Sequence, residues 1–132
     1  MNNQQNPADI WIEPSPEDWP KAHKPKVVYI AGPITGRPDY RYEFFAAETA
    51  IWERGDIALN PASLPQGMSR RQYMHICLAM LDCADEVWYL PGWEESRGAS
   101  IEHSYAEYVG IKEADEDGEP VGQSGAEKAV DV

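Results

Sequence analysis

Between Lys26 and Gly110 the chain alternates short apolar runs with longer stretches in which apolar residues return every three or four positions. The first run, Lys-Val-Val-Tyr-Ile-Ala at 26–31, is continuous, as in a strand buried on both faces. Gly32-Pro33 ends it. Asp39 can then cap a helix in which Tyr40, Phe44, Ala47 and Ile51 recur at helical spacing and which Gly55 terminates. Ile57–Leu59 reads as a second strand, followed by an irregular connection through Asn60-Pro61 and Pro65-Gln66-Gly67. Ser69 and Gln72 have the spacing of a capping box, opening a helix with the inward stripe Tyr73, Ile76, Cys77, Met80 and Leu81. Asp85–Leu90 is a third strand, closed by Pro91-Gly92-Trp93. A last helix follows, with Ile101, Tyr105 and Tyr108 as its apolar stripe. Three strand–helix repeats predict parallel strands joined by right-handed crossovers. The expected fold is α/β: a small open Rossmann-like or flavodoxin-like parallel sheet with helices on both faces.

The flanks differ in kind. Residues 1–25 are polar and rich in proline (Pro7, Pro14, Pro16, Pro20, Pro25), which forbids a helix and favours an extended arm. The arm reads either as a disordered leader or as a segment that Trp11 and Trp19 pin to the domain or to a neighbouring subunit. Residues 111–132 hold no strand-length apolar run and are expected to form an acidic, disordered tail. The domain proper is therefore expected at 26–110.

Charge narrows the partners. The formal net charge is −12, divided as −2 over residues 1–25, −5 over 26–110 and −5 over 111–132. No basic face is available for duplex nucleic acid, but a few arginines suffice to hold one phosphate of a free nucleotide. No apolar run reaches membrane-spanning length and no signal peptide is visible, so a cytoplasmic protein is expected. Cys77 and Cys83 lie within one helical stretch at a spacing that suits neither a metal nor a redox pair. His23, His75 and His103 share no ligand spacing, so neither a metal nor a cofactor is expected.

In an open parallel sheet the loops after the strands gather at one edge, where ligands bind. That edge collects Tyr29 with Gly32–Arg37, the Asn60–Met68 connection, and Pro91–Glu102. Gly32 and Gly36 permit close backbone approach, and Thr35 and Arg37 can donate to an anion. Ser96, Arg97 and Gly98 offer a hydroxyl, a guanidinium and free amides at a helix start, a phosphate cradle. Glu102 falls in the first turns of that helix beside apolar neighbours, which makes it the candidate working carboxylate. Tyr29 is a polar tip on an apolar strand, able to reach a carboxylate across the edge. Plainer readings stand beside these: turn-forming glycines, Ser96 as an N-cap, Tyr29 and Cys77 as core residues, Glu102 as a surface charge.

Taken together, Tyr29-Ile30-Ala31-Gly32-Pro33, the strand Asp85–Leu90, and Gly98-Ala99-Ser100-Ile101-Glu102-His103-Ser104-Tyr105-Ala106 resemble the nucleoside 2-deoxyribosyltransferase-like family. The likeness is to its phage and bacterial branch, with Leu-Pro-Gly-Trp-Glu-x-Ser-Arg-Gly-Ala before the glutamate. The resemblance implies cleavage of an N-glycosidic bond, with Glu102 as nucleophile at C1′ and Tyr29 orienting it. Transfer to a second base would make the protein a transferase, and transfer to water a hydrolase. Ser96, with Arg97 beside it, matches the phosphate-binding serine of the family's 5′-monophosphate hydrolases, which favours hydrolysis of a (deoxy)nucleoside 5′-monophosphate. A homo-oligomer is implied as well. Two departures qualify the likeness. Cys77 stands where catalytic members carry an aspartate, so the alternative is a catalytically weak nucleotide-binding protein, with Asp82 or Glu86 as candidate replacements for the acid. The family's final strand is also not legible after Gly110, which leaves the sheet either truncated or completed by the tail or a partner. A third reading, an acidic interaction module, rests on composition alone.

Overall fold

The computed structural model describes residues 24–121; the N-terminal arm with Trp11, Trp19 and His23, and the chain after Val121, lie outside the described residues. Strands and α-helices follow in the order β1 (Val27–Ala31), α1 (Tyr40–Glu53), β2 (Ile57–Leu59), α2 (Arg70–Asp82), β3 (Glu86–Tyr89), α3 (Arg97–Val109) and β4 (Lys112–Asp115), with short 3-10 turns at Pro61–Ser63 and Trp93–Glu95. The four strands are all parallel in the order β2-β1-β3-β4, with Tyr29 facing Leu59 on one side and Val87 on the other. This is the open α/β sheet the periodicity predicts. The order reverses between β1 and β3, and the crevice outside the carboxyl ends of those strands is where such sheets bind ligands.

Two cores follow from the alternation along β1. Val28 and Ile30 point to one face and pack with Phe44, Ala47 and Ile51 of α1. Tyr29 and Ala31 point to the other, with Val87 and Tyr89 of β3, Cys77 and Leu81 of α2, and Ala106 of α3. Burial of these side chains supplies the main stabilisation, about 1.5–3 kcal/mol for each large one. The capping box at Ser69 and Gln72 forms in both directions, satisfying two amides at the start of α2. Asp39, by contrast, makes no side-chain cap for α1.

Two expectations need correction. The supposed tail contributes to the sheet: β4 pairs with β3 through Lys112–Asp115, and Val121 returns to hydrogen-bond Glu113. Its sequence, Lys-Glu-Ala-Asp, has no apolar run because only two of its four side chains are buried, and one of those is Glu113. That carboxylate is satisfied inside the fold by Tyr89 and His103. The domain thus extends past Gly110, into the segment read as disordered. On α3 the inward face is Ala99, Glu102 and Ala106, while Ile101 and Tyr108 of the expected apolar stripe are exposed. Small side chains there let the helix lie close to the sheet, with Glu102 spanning the gap to Tyr29.

Candidate functional site

The connections after β1, β2 and β3 enclose one cavity of about 950 Å³ at the carboxyl edge of the sheet, near the upper end of the range for small-ligand sites. Tyr29 and Cys77 form part of its wall next to Glu102. Tyr29 is fixed by its place in the middle strand, and its hydroxyl donates to Glu102 Oε2 at 2.7 Å. Glu102 is only 6% exposed, and no other hydrogen bond to its carboxylate is present among the described residues. Burial pushes its carboxyl up to about 7, partly opposed by the Tyr29 hydroxyl, which favours the charged form. Burial, and secondarily the Glu102 charge, hold the Tyr29 phenol well above its ordinary value, so it remains a donor. A carboxyl poised near neutrality on the wall of a cavity is a group matched to chemistry.

Cys77 projects from the middle of α2 into the same wall. Burial pushes its thiol up to about 11, against the Tyr29 interaction, so it is neutral at physiological pH. It is at once a core residue and a site-lining one. Neither proposed substitute for the missing acid reaches the cavity. Asp82 accepts from Tyr105 at the far end of α2, and Glu86 pairs with Arg54 at the start of β3.

The phosphate-binding candidates divide. Gly32, Thr35, Gly36, Arg37, Ser96, Arg97 and Gly98 all line the cavity. Gly32 is required for packing, because a Cβ there would meet Leu90 Cβ at 2.9 Å. Arg37 is already engaged: it pairs with Glu43 at 3.1 Å and donates to the Pro91 carbonyl at 3.3 Å. It ties the loop after β1 to the loop after β3, and Gly92 makes room for it, since a Cβ at that position would collide with the guanidinium. Ser96 caps α3, accepting from the Ala99 amide at 3.2 Å. Its hydroxyl proton is free to donate. Arg97 has no acidic partner among the described residues.

Arg70 and Arg71 were not legible as site residues. They open α2, where the sequence shows only a capping box, yet both line the same cavity as Arg97. Only the packing of α2 against α3 discloses this: Met74, one turn on, lies 3.7 Å from where Gly98 would carry a Cβ. Among the described residues no cluster of metal-ligating side chains occurs and no helix is long and apolar enough to cross a membrane.

Residues 26–113 match the model of a family described as a domain of unknown function, DUF4406, and the chain belongs to that family. No curated protein matches it.

Proposed function

We propose that the protein is an N-glycosidase acting on 5′-phosphorylated deoxynucleosides, with Glu102 as nucleophile. The observation that carries this reading is the buried Glu102 carboxyl, poised near 7 and held by Tyr29 on the wall of a large cavity. A carboxylate so placed suits attack on C1′ through an oxocarbenium-like transition state. The Glu102 Oε–C1′ bond forms as the C1′–N bond breaks, and the base departs with that electron pair and takes a proton from water. Water then attacks C1′ of the glycosyl ester, releasing the sugar phosphate and the carboxylate. Tyr29 orients Glu102 and stabilises its ionised form. Ser96, Arg97 and the amides about Gly98 lie where they can hold the phosphate. Exposed Ile101, Tyr108 and Val109 along α3 are consistent with a homo-oligomer.

A second reading, nucleotide binding with little turnover, is favoured by Cys77, whose neutral thiol at about 11 is a poor proton donor to a leaving base. Release of free base from deoxynucleotides, ribonucleotides and nucleosides, followed by chromatography with Glu102→Ala alongside, tests the first reading. Release by the wild type alone supports it, and residual release by the variant overturns the nucleophile assignment. Nucleotide binding without release supports the second reading. A gain on Cys77→Asp would mark an enzyme weakened at that position.

A further inference from the structure

The six arginines of this acidic chain are not spread evenly: four of them (Arg37, Arg70, Arg71 and Arg97) line the cavity at the sheet edge. Only two acids, Glu95 and Glu102, line it with them. Arg37 is consumed by Glu43 and Pro91. Outside the cavity, Arg54 is consumed by Asp56 and Glu86, and Arg41 lies 5.7 Å from the centre of the Tyr40 ring. Arg70, Arg71 and Arg97 are different, because they line the cavity and none has an acidic partner among the described residues; Arg41 also lacks an acid but does not line the cavity. The helices that carry them touch near their starts, with Met74 of α2 3.7 Å from where Gly98 of α3 would carry a Cβ, and all three arginines line the same cavity.

In a protein of net charge −12, three guanidiniums without acidic partners lining one cavity make a local positive field suited to a polyanionic ligand. A single phosphate is matched by Ser96, Arg97 and the amides at the start of α3. Arg70 and Arg71 then exceed what one phosphate needs, and each can fork onto a further phosphate in bidentate fashion. We propose that Arg70 and Arg71 form a second phosphate subsite, so that the preferred ligand is a nucleoside 5′-di- or triphosphate. This rests on the reading of the cavity as a nucleotide site. The recognition itself is electrostatic and does not depend on turnover at Glu102. Phosphates beyond the first sit towards the α2 side of the mouth, and the sugar lies towards Tyr29 and Glu102.

Calorimetric titration of the full-length Glu102→Gln protein tests this without turnover. The probes are the four deoxynucleoside 5′-mono-, di- and triphosphates and inorganic tripolyphosphate, without added divalent cation. Each added charge-assisted contact strengthens binding by about ten-fold or more, so the triphosphate should bind at least about ten-fold tighter than the monophosphate. The double substitution Arg70→Ala, Arg71→Ala should bring that ratio to within about three-fold while leaving monophosphate binding nearly unchanged. Both side chains are exposed, so the fold should persist, and circular dichroism checks it. Equal affinity for mono- and triphosphate overturns the proposal, as does a ratio that survives the double substitution. A single-stranded oligonucleotide binding tighter than every triphosphate also overturns it, assigning the arginines to a polymer. Chain-length preference without base release by the wild type sustains the subsite and defeats the glycosidase reading. Base release without that preference does the reverse.

Discussion

The sheet carries two buried tyrosine–glutamate pairs on adjacent strands, and they differ in almost everything except the bond. Tyr29 on β1 donates to Glu102 at 2.7 Å, and Tyr89 on β3 donates to Glu113 at 2.6 Å. Glu113 is also reached by His103 Nδ1 at 2.7 Å, and the rings of Tyr89, Trp93 and His103 pack around it. Glu102 has the tyrosine alone and opens onto the cavity. A buried carboxylate with several partners is a structural element, whereas one left under-satisfied beside empty space keeps its capacity to react. The same residue types thus make a strut on one strand and a candidate nucleophile on the next.

The largest expected difference between the pairs is in activity. Glu102→Gln should lower base release by at least about 10³-fold, since Glu102 is the buried carboxylate of the cavity wall and the other acid there, Glu95, is exposed. Glu113→Gln should leave it within a few-fold. If both variants lose activity equally while remaining folded, the distinction between strut and nucleophile fails.

Stability should move the other way. Glu113→Ala strands the Tyr89 hydroxyl and His103 without their acceptor and should cost about 3 kcal/mol in denaturant unfolding. Glu102→Gln keeps an acceptor for Tyr29 and removes an ionisation penalty. The native Glu102 carboxyl retains its proton up to about 7, whereas the unfolded one releases it near 4.5. Between those values the folded state binds more protons, so wild-type stability falls as pH rises through the window. Above pH 7 the deficit is about 3 kcal/mol. The variant should therefore exceed the wild type at pH 8 and match it at pH 4; a pH-independent difference would refute the assignment.

Substituting the tyrosines gives a smaller effect with a clear signature. Activity that requires ionised Glu102 rises with pH through about 7. Tyr29→Phe removes the hydrogen bond that favours the charged form, so this limb should move to higher pH, with a roughly ten-fold loss at neutrality. Tyr89→Phe should leave the limb in place. The smallest effect is expected from His103→Ala, which strips Glu113 to a single tyrosine partner and makes it resemble Glu102. It should cost about 1–2 kcal/mol by unfolding and create no new activity, because Glu113 does not line the large cavity.

Most of the frame was legible from the chain itself. The continuous apolar run at 26–31, the helical recurrence of Phe44, Ala47 and Ile51, and the Ser69–Gln72 box each report a local preference that the fold keeps. Glu102 and Tyr29 stood out because a polar tip on an apolar strand and an acid near a helix start are local anomalies. β4 did not stand out, because Lys-Glu-Ala-Asp becomes a strand only when β3 offers hydrogen bonds and Tyr89 and His103 receive the glutamate. The outward turn of Ile101 and Tyr108 was equally hidden, since periodicity locates a stripe without saying which side faces the sheet.

Sequence by itself determined the order of elements from β1 to α3, their parallel arrangement and the pair of residues around which chemistry can be built, because propensity, capping and burial periodicity act over a few neighbouring positions. Tertiary structure decided which charges are spent and which are free. Arg37 is tied to Glu43 and Pro91, Arg54 to Asp56 and Glu86, while Arg70, Arg71 and Arg97 face one cavity without acidic partners. Those outcomes depend on which helix starts and loops meet at the sheet edge, and electrostatic pairing is set by distance in space, which spacing along the chain does not encode.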